Sequence, residues 1–141
     1  MTDPLITLRP VGYVQTAVSD EEIRFRRRDV VANVVVDPGL TEALEGIEGY
    51  SHLFIIFWMH RVEPAAPVAL KVHPRGRTDL PPVGLFATRT PHRPNPIGLA
   101  VVELLGRRQN VLTVRGLDAF DGTPVLDIKP YDFYDRVESV R

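Results

Sequence analysis

The chain has 141 residues, 44% hydrophobic and 25% charged, with a formal net charge of −1. That is the size and make-up of one ordinary globular domain. The near-neutral balance excludes a global basic field for nucleic acid. No apolar run approaches the ~20 residues of a membrane helix, and the absence of cysteine excludes disulfides, thiolate metal sites and thiol nucleophiles.

In chain order, strand-like runs dominate: "LITLRPVGYV" (5–14), "VVANVVV" (30–36), "HLFIIFWMH" (52–60), "PVALKVH" (67–73), "VGLFAT" (83–88), "VLTVRG" (111–116) and "PVLDIKPY" (124–131). They are rich in β-branched and aromatic residues and are punctuated by Gly, Pro or Asp. "IGLAVVELL" (97–105) fits strand or helix, and Val101 and Val102 favour strand. One short helix is expected in "LTEALEG", from Thr41 to Gly46. "EPAAP" (63–67) and "PRGRTDLPP" (74–82) read as loops. Seven or eight strands in a chain of this size predict a mainly β, single-domain fold spanning 1–141, a single sheet closed into a barrel with one or two short helices. Within 52–60, alternation places Leu53, Ile55, Phe57 and Met59 on one face and Phe54, Ile56 and Trp58 on the other. A strand apolar on both faces needs cover on both, and a partner subunit is one candidate for the outer cover.

"TRTPHRPNPIGL" (88–99) is too rich in proline for a helix or a central strand. Each proline fixes its own φ and restricts the residue before it. Arg89, His92 and Arg93 therefore hang from a loop that has lost most of its entropy in advance, which suits ligand binding. "RFRRR" (24–28) is either a phosphate- or base-stacking surface or a solvated loop balanced by Asp20, Glu21, Glu22 and Asp29. "LDAFDGTPVLDIKPY" (117–131) sets Asp118 and Asp121 ahead of a turn, where they either shape it or accept hydrogen bonds from a ligand. Four histidines and ten aspartates show no metal-ligand spacing, so no metal is expected. No GxSxG elbow, GxGxxG fingerprint or Walker loop occurs.

Three blocks together, "GIEGYSHLFIIFWMH" (46–60), "GLFATRTPHRPNPIGLAVVELL" (84–105) and "LDAFDGTPVLDIKPY" (117–131), resemble in order and spacing the signature blocks of the TsaA-like family, whose characterised members are TrmO-type tRNA methyltransferases. The resemblance covers residues 5 to 135. It implies a β-barrel that binds S-adenosylmethionine, forms a homodimer and methylates N6 of threonylcarbamoyladenosine at position 37 of threonine tRNA. Carried onto this chain, the donor contacts would be His60, Arg61, Arg89, the backbone around Leu99, Asp118 and Asp121. The general base would come from Asp118, Asp121 or His60, in that order. Arg26, Arg27, Arg28 and Arg93 would meet the RNA. "GYVQTAV" and "IRFRRRDV" depart from the family's usual segments on one side of the donor pocket, and longer members carry a further C-terminal domain. The alternatives are methylation of a small molecule or another RNA, or a non-catalytic S-adenosylmethionine- or RNA-binding module. A cytoplasmic location and no membrane association are expected.

Overall fold

The computed structural model describes residues 4–62 and 67–141; most of the expected 63–67 loop lies outside them. Six strands close into an antiparallel barrel: β1 (Gly12–Gln15), β2 (Val31–Val36), β3 (His52–Trp58), β6 (Ile97–Arg108), β7 (Val111–Arg115) and β8 (Pro124–Pro130), in the order β1-β2-β7-β6-β3-β8. Two further strands, β4 (Lys71–Val72) and β5 (Val83–Gly84), pair only with each other.

The closed barrel follows from alternation. Val14, Ala32, Val34, Val36, Leu53, Ile55, Phe57, Ala100, Val102, Leu112, Val114 and Val125 all face inward and are buried. Each fully buried aliphatic side chain among them contributes roughly 1.5–3 kcal/mol relative to exposure. Closure also removes the open sheet edges that would invite aggregation. β8 keeps its phase only through a bulge. Ile55 pairs with Ile128 and Phe57 with Val125, so the extra residue in β8 lets both partners face the core although they lie three positions apart.

The barrel thus has six strands rather than seven or eight, and the runs 67–73 and 83–88 contribute only the two-residue strands β4 and β5. Leu85 follows β5 in a 3-10 turn and is buried, which ends the extended run and anchors it. The expected strand at 5–14 is confined to Gly12–Gln15, because Pro10 has no N–H to donate and Leu5, Ile6 and Leu8 stay exposed. The expected helix at 41–46 is a 3-10 segment, Pro38–Leu44, with only Leu44 buried and Asp37 capping the Gly39 N–H at 2.9 Å. The α-helix lies elsewhere: α1 (Asp20–Arg26) spans most of the arginine-rich run. Ser19 Oγ accepts the Glu22 N–H at 3.2 Å, acids fill the first turn, arginines the last, and Ile23 is buried beneath it.

Antiparallel order sorts the connections between two rims. The C-terminal ends of β1, β3 and β7 and the N-terminal ends of β2, β6 and β8 share one rim. The long loops 16–30, 59–96 and 116–123 therefore all emerge there, so residues distant in sequence meet.

Candidate functional site

β3 ends at Trp58, and the Met59 N–H donates to Pro96 O at 2.8 Å, which ties the end of β3 to the end of the proline loop. Arg61 then crosses to two other elements. It forms an ion pair with Asp20 at the start of α1 and donates through Nη2 to Asp121 O at 3.2 Å. Two guanidinium groups lie over the Phe120 ring, Arg24 at 5.2 Å and Arg61 at 5.4 Å from its centroid, a cation–π arrangement. Asp121 begins an Asp-Gly turn in which Gly122 takes φ 80°, a conformation glycine adopts freely. Its Oδ1 accepts the Thr16 N–H at 2.9 Å, so Asp121 chiefly holds the rim together. Asp118 is exposed, and no hydrogen bond or ion pair to its carboxylate is found among the described residues.

His60 lies beside this turn, its Nδ1 3.3 Å from the hydroxyl of buried Thr123. The residue is exposed overall, yet partial desolvation of its ring, helped by the charge of Arg61 and opposed by Asp20, holds its pKa below the ordinary histidine value. The unfolded chain then binds the proton more readily. Below about pH 6.5, stability should therefore fall as pH falls toward and through the folded-state pKa, and it should level off above that range. Melting temperatures across pH 5–8 for the wild type and His60→Asn check this: the slope below about pH 6.5 should flatten in the variant.

The proline loop is held from within. Arg93 Nη1 donates to Thr88 O at 2.9 Å and Thr90 O at 3.1 Å, and its guanidinium lies 5.7 Å from the exposed Phe86 ring. Arg89 is exposed and forms no ion pair among the described residues. In the arginine run, Arg24 lies over Phe120, Arg26 pairs with Glu22 at 3.5 Å and Arg27 Nε donates to Arg24 O at 3.2 Å. Among the described residues only Arg26 of the run forms an ion pair, and Arg27 and Arg28 are exposed. Leu99 sits apart on the outer face of β6 opposite Ile56.

Topology thus brings the loops that carry His60, Arg61, Arg89, Arg93, Asp118, Asp121 and Arg26–Arg28 to one rim, where contacts join His60, Arg61 and Asp121 to their neighbours, and leaves Leu99 on the barrel wall. Asp20, Phe120, Thr16 and Thr123 were missed in the sequence. Phe120 lies inside a quoted block, and Asp20 stood among acids read only as counter-charges. A cleft of about 540 Å³ runs outside β1 and β2 and includes Gly122 of the rim. Its one charged lining residue, Asp37, caps Gly39, and Asn110 Nδ2 donates to Val36 O at 2.6 Å. With Asp37 Oδ1 and the Asn110 amide N–H engaged, that cleft offers less charged chemistry than the rim. Among the described residues no group of three metal-binding side chains occurs, and no helix is long and apolar enough to cross a membrane.

The fold and its rim define a closed antiparallel barrel whose candidate ligand site is built from loops and mixes guanidinium, carboxylate and aromatic groups. Its antiparallel topology sets it apart from the parallel sheets of doubly wound nucleotide-binding domains. The chain belongs to the family described as "tRNA-methyltransferase O N-terminal domain", which matches residues 24–135. It is 41% identical over 143 residues to a Methanothermobacter thermautotrophicus protein named "Probable S-adenosyl-L-methionine-binding protein", covering 99% of this chain and 98% of that one. It is also similar to a solved TrmO structure at 36% identity and a TM-score of 0.78, and to TrmO from Pseudomonas aeruginosa at 34% and 0.75. In each case 98% of this chain is covered, but only 63% and 62% of those longer chains.

Proposed function

We propose that the chain is an S-adenosylmethionine-dependent methyltransferase acting on N6 of threonylcarbamoyladenosine at position 37 of tRNA, with threonine tRNA as the substrate. The observation that supports this reading is that His60, Arg61 and the turn carrying Asp118 and Asp121, far apart in sequence, lie together at one rim, although Leu99 does not. The rim fits a zwitterionic nucleoside donor: guanidinium groups of Arg61 and Arg89 for a carboxylate, the Asp118 carboxylate for an ammonium group, and the Phe120 face for a ring or cation. When bound, the donor supplies an electrophilic methyl carbon on a sulfonium.

The chain's own work is positioning the two reactants and accepting a proton. The N6 lone pair forms the new C–N bond as the C–S bond breaks and its electrons pass to sulfur. The displaced N6 proton goes to a carboxylate or imidazole at the rim. Asp118 leads because no partner for its oxygens is found among the described residues, whereas Asp121 uses one oxygen on Thr16. His60 serves if its Nδ1–H donates to Thr123, which leaves Nε2 as an acceptor. Incubation of the purified protein with donor and threonylcarbamoylated tRNA, followed by nucleoside mass spectrometry, should give a methylated product. Donor binding without product from any RNA or small molecule would favour the non-catalytic alternative.

Arg89→Lys separates contact from bracing. Because no carboxylate pairs with Arg89 among the described residues, loss of its fork should leave stability unchanged and reduce methyl transfer at least tenfold, roughly 1.4 kcal/mol. Full turnover would remove the residue from the site.

A homodimer completes this reading. Cross-strand pairing lines up Phe54 with Val101, Ile56 with Leu99 and Trp58 with Ile97 on the outer face of β3 and β6. Ile97, Leu99 and Val101 are exposed, an apolar stripe of the kind that marks an interface. Sedimentation should give twice the 15.8 kDa chain mass for the wild type and the single mass for Val101→Arg. A wild type that is monomeric at micromolar concentration overturns the dimer.

A further inference from the structure

Positive charge is strongly segregated. Residues 67–96 carry Lys71, Arg75, Arg77, Arg89 and Arg93 against the single carboxylate of Asp79, a balance of +4; the whole chain is −1, so all other residues together sum to −5. Residues 20–29, which hold the arginine run, balance to zero: four arginines against Asp20, Glu21, Glu22 and Asp29. The chain's excess of basic charge therefore lies in the 67–96 flap and not in the run.

The flap is one built body. β4 and β5 pair, the Leu85 N–H donates to Leu70 O at 2.9 Å, and His73 Nδ1 lies 3.0 Å from Leu80 O. Leu85 is buried, while Arg93 binds the loop carbonyls and faces Phe86. Arg77 is paired with Asp79. Lys71, Arg75 and Arg89 are exposed and form no ion pair among the described residues. Arg75 holds φ 53° at the tip, where glycine would be the cheaper residue. Leu70 and Phe86 are each 80% exposed among these cations. An exposed aromatic ring on a segment that also carries exposed cations is the chemistry that receives an unstacked base with its flanking phosphates.

We propose that the 67–96 flap is the surface on which the RNA substrate docks, with Lys71 and Arg75 on phosphates and Phe86 stacked on a loop base. The proposal rests on the RNA-methyltransferase reading and adds to it where the RNA lies. The flap leaves the same rim as His60 and Asp118, and the Met59–Pro96 bond joins its base to the site.

The test measures binding of a synthetic RNA hairpin with a single-stranded, purine-containing loop, across a salt series, to the full chain and three variants. Lys71→Gln/Arg75→Gln should lower the log–log salt slope by roughly 1.4 to 1.8 and weaken binding about tenfold or more near physiological salt. Phe86→Ala should weaken binding about fivefold or more and leave the slope unchanged. Arg26→Ala/Arg27→Ala/Arg28→Ala should change the slope far less than the flap variant does. Melting temperature and donor affinity should stay at wild-type values in the flap variants, because all three side chains are exposed. Wild-type binding that survives Lys71→Gln/Arg75→Gln with its slope intact overturns the flap while leaving the RNA reading standing. A slope lost only in the triple arginine variant also overturns the flap and returns the docking surface to α1. No hairpin binding by the wild type overturns both. Phosphatidylserine vesicles form the last arm: flap-dependent binding to them without binding to RNA makes this a lipid surface and overturns the proposal.

Discussion

Gly98→Ala is expected to destabilise the protein by about 2–3 kcal/mol, the cost of overpacking a filled core, with a fall in melting temperature on the order of 10 °C. A Cβ at position 98 would lie 2.3 Å from Cε2 and 2.4 Å from Cζ of Phe57. The two residues are direct cross-strand partners on β6 and β3, both facing the interior. Phe57 is only 5% exposed, so its ring has no free volume to retreat into. The glycine in "RPNPIGL" is thus required by an aromatic ring forty-one positions earlier in the chain. Thermal or denaturant unfolding of Gly98→Ala, Phe57→Leu and the double variant measures the coupling. Shrinking the ring should rescue part of the alanine cost, so the double variant should lose less than the two singles combined. Additive losses would mean that the clash is relieved elsewhere.

The largest effect on activity is expected at Arg61. Arg61→Lys keeps the charge but loses the planar fork that reaches both Asp20 and the Asp121 carbonyl while lying beside Phe120. Methyl transfer should fall tenfold to a hundredfold, about 1.4–2.7 kcal/mol of transition-state stabilisation, because the turn carrying Asp118 is no longer held against α1 and small misplacements of reactants are costly. The ion pair is partly exposed, so little global stability should be lost with it. The decisive measurement is the thermal shift produced by S-adenosylmethionine, which stabilises a folded protein that binds it by mass action. A shift reduced in Arg61→Lys together with a raised KM for the donor assigns the residue to donor binding. An unchanged shift with reduced kcat assigns it to positioning the turn. Wild-type kinetics would remove it from the site.

Elements that bury one face were legible because a two-residue period writes that face into the sequence. β2, β3, β6, β7 and β8 lie within or overlap their expected runs, and the barrel follows from their number and alternation. The proline loop was equally legible, since proline restricts the backbone whatever surrounds it. α1 was legible in principle: Ser19 followed three residues later by Glu22 is a capping sequence, but the surrounding charges drew attention as charges. The Arg24–Arg28 run fits both an RNA surface and a solvated segment balanced by neighbouring acids; the structure adds the Arg26–Glu22 pair and the placement of Arg24 over Phe120.

Other features belong to tertiary structure alone. Pro10 marks where β1 can stop, but the apolar residues before it do not reveal that Leu5, Ile6 and Leu8 stay exposed. The bulge in β8 depends on which residues of β3 it meets. The pairing of Arg61 with Asp20 spans forty-one positions and that of Asp121 with Thr16 one hundred and five; no spacing rule reaches so far. Sequence by itself determined the alternating strands, the stiff loop and the chemical types available for a site. Which of those side chains are free and which are spent holding loops together was decided by closure of the barrel, because antiparallel order delivers the loops 16–30, 59–96 and 116–123 to one rim and lets distant charges such as Arg61 and Asp20 neutralise one another there.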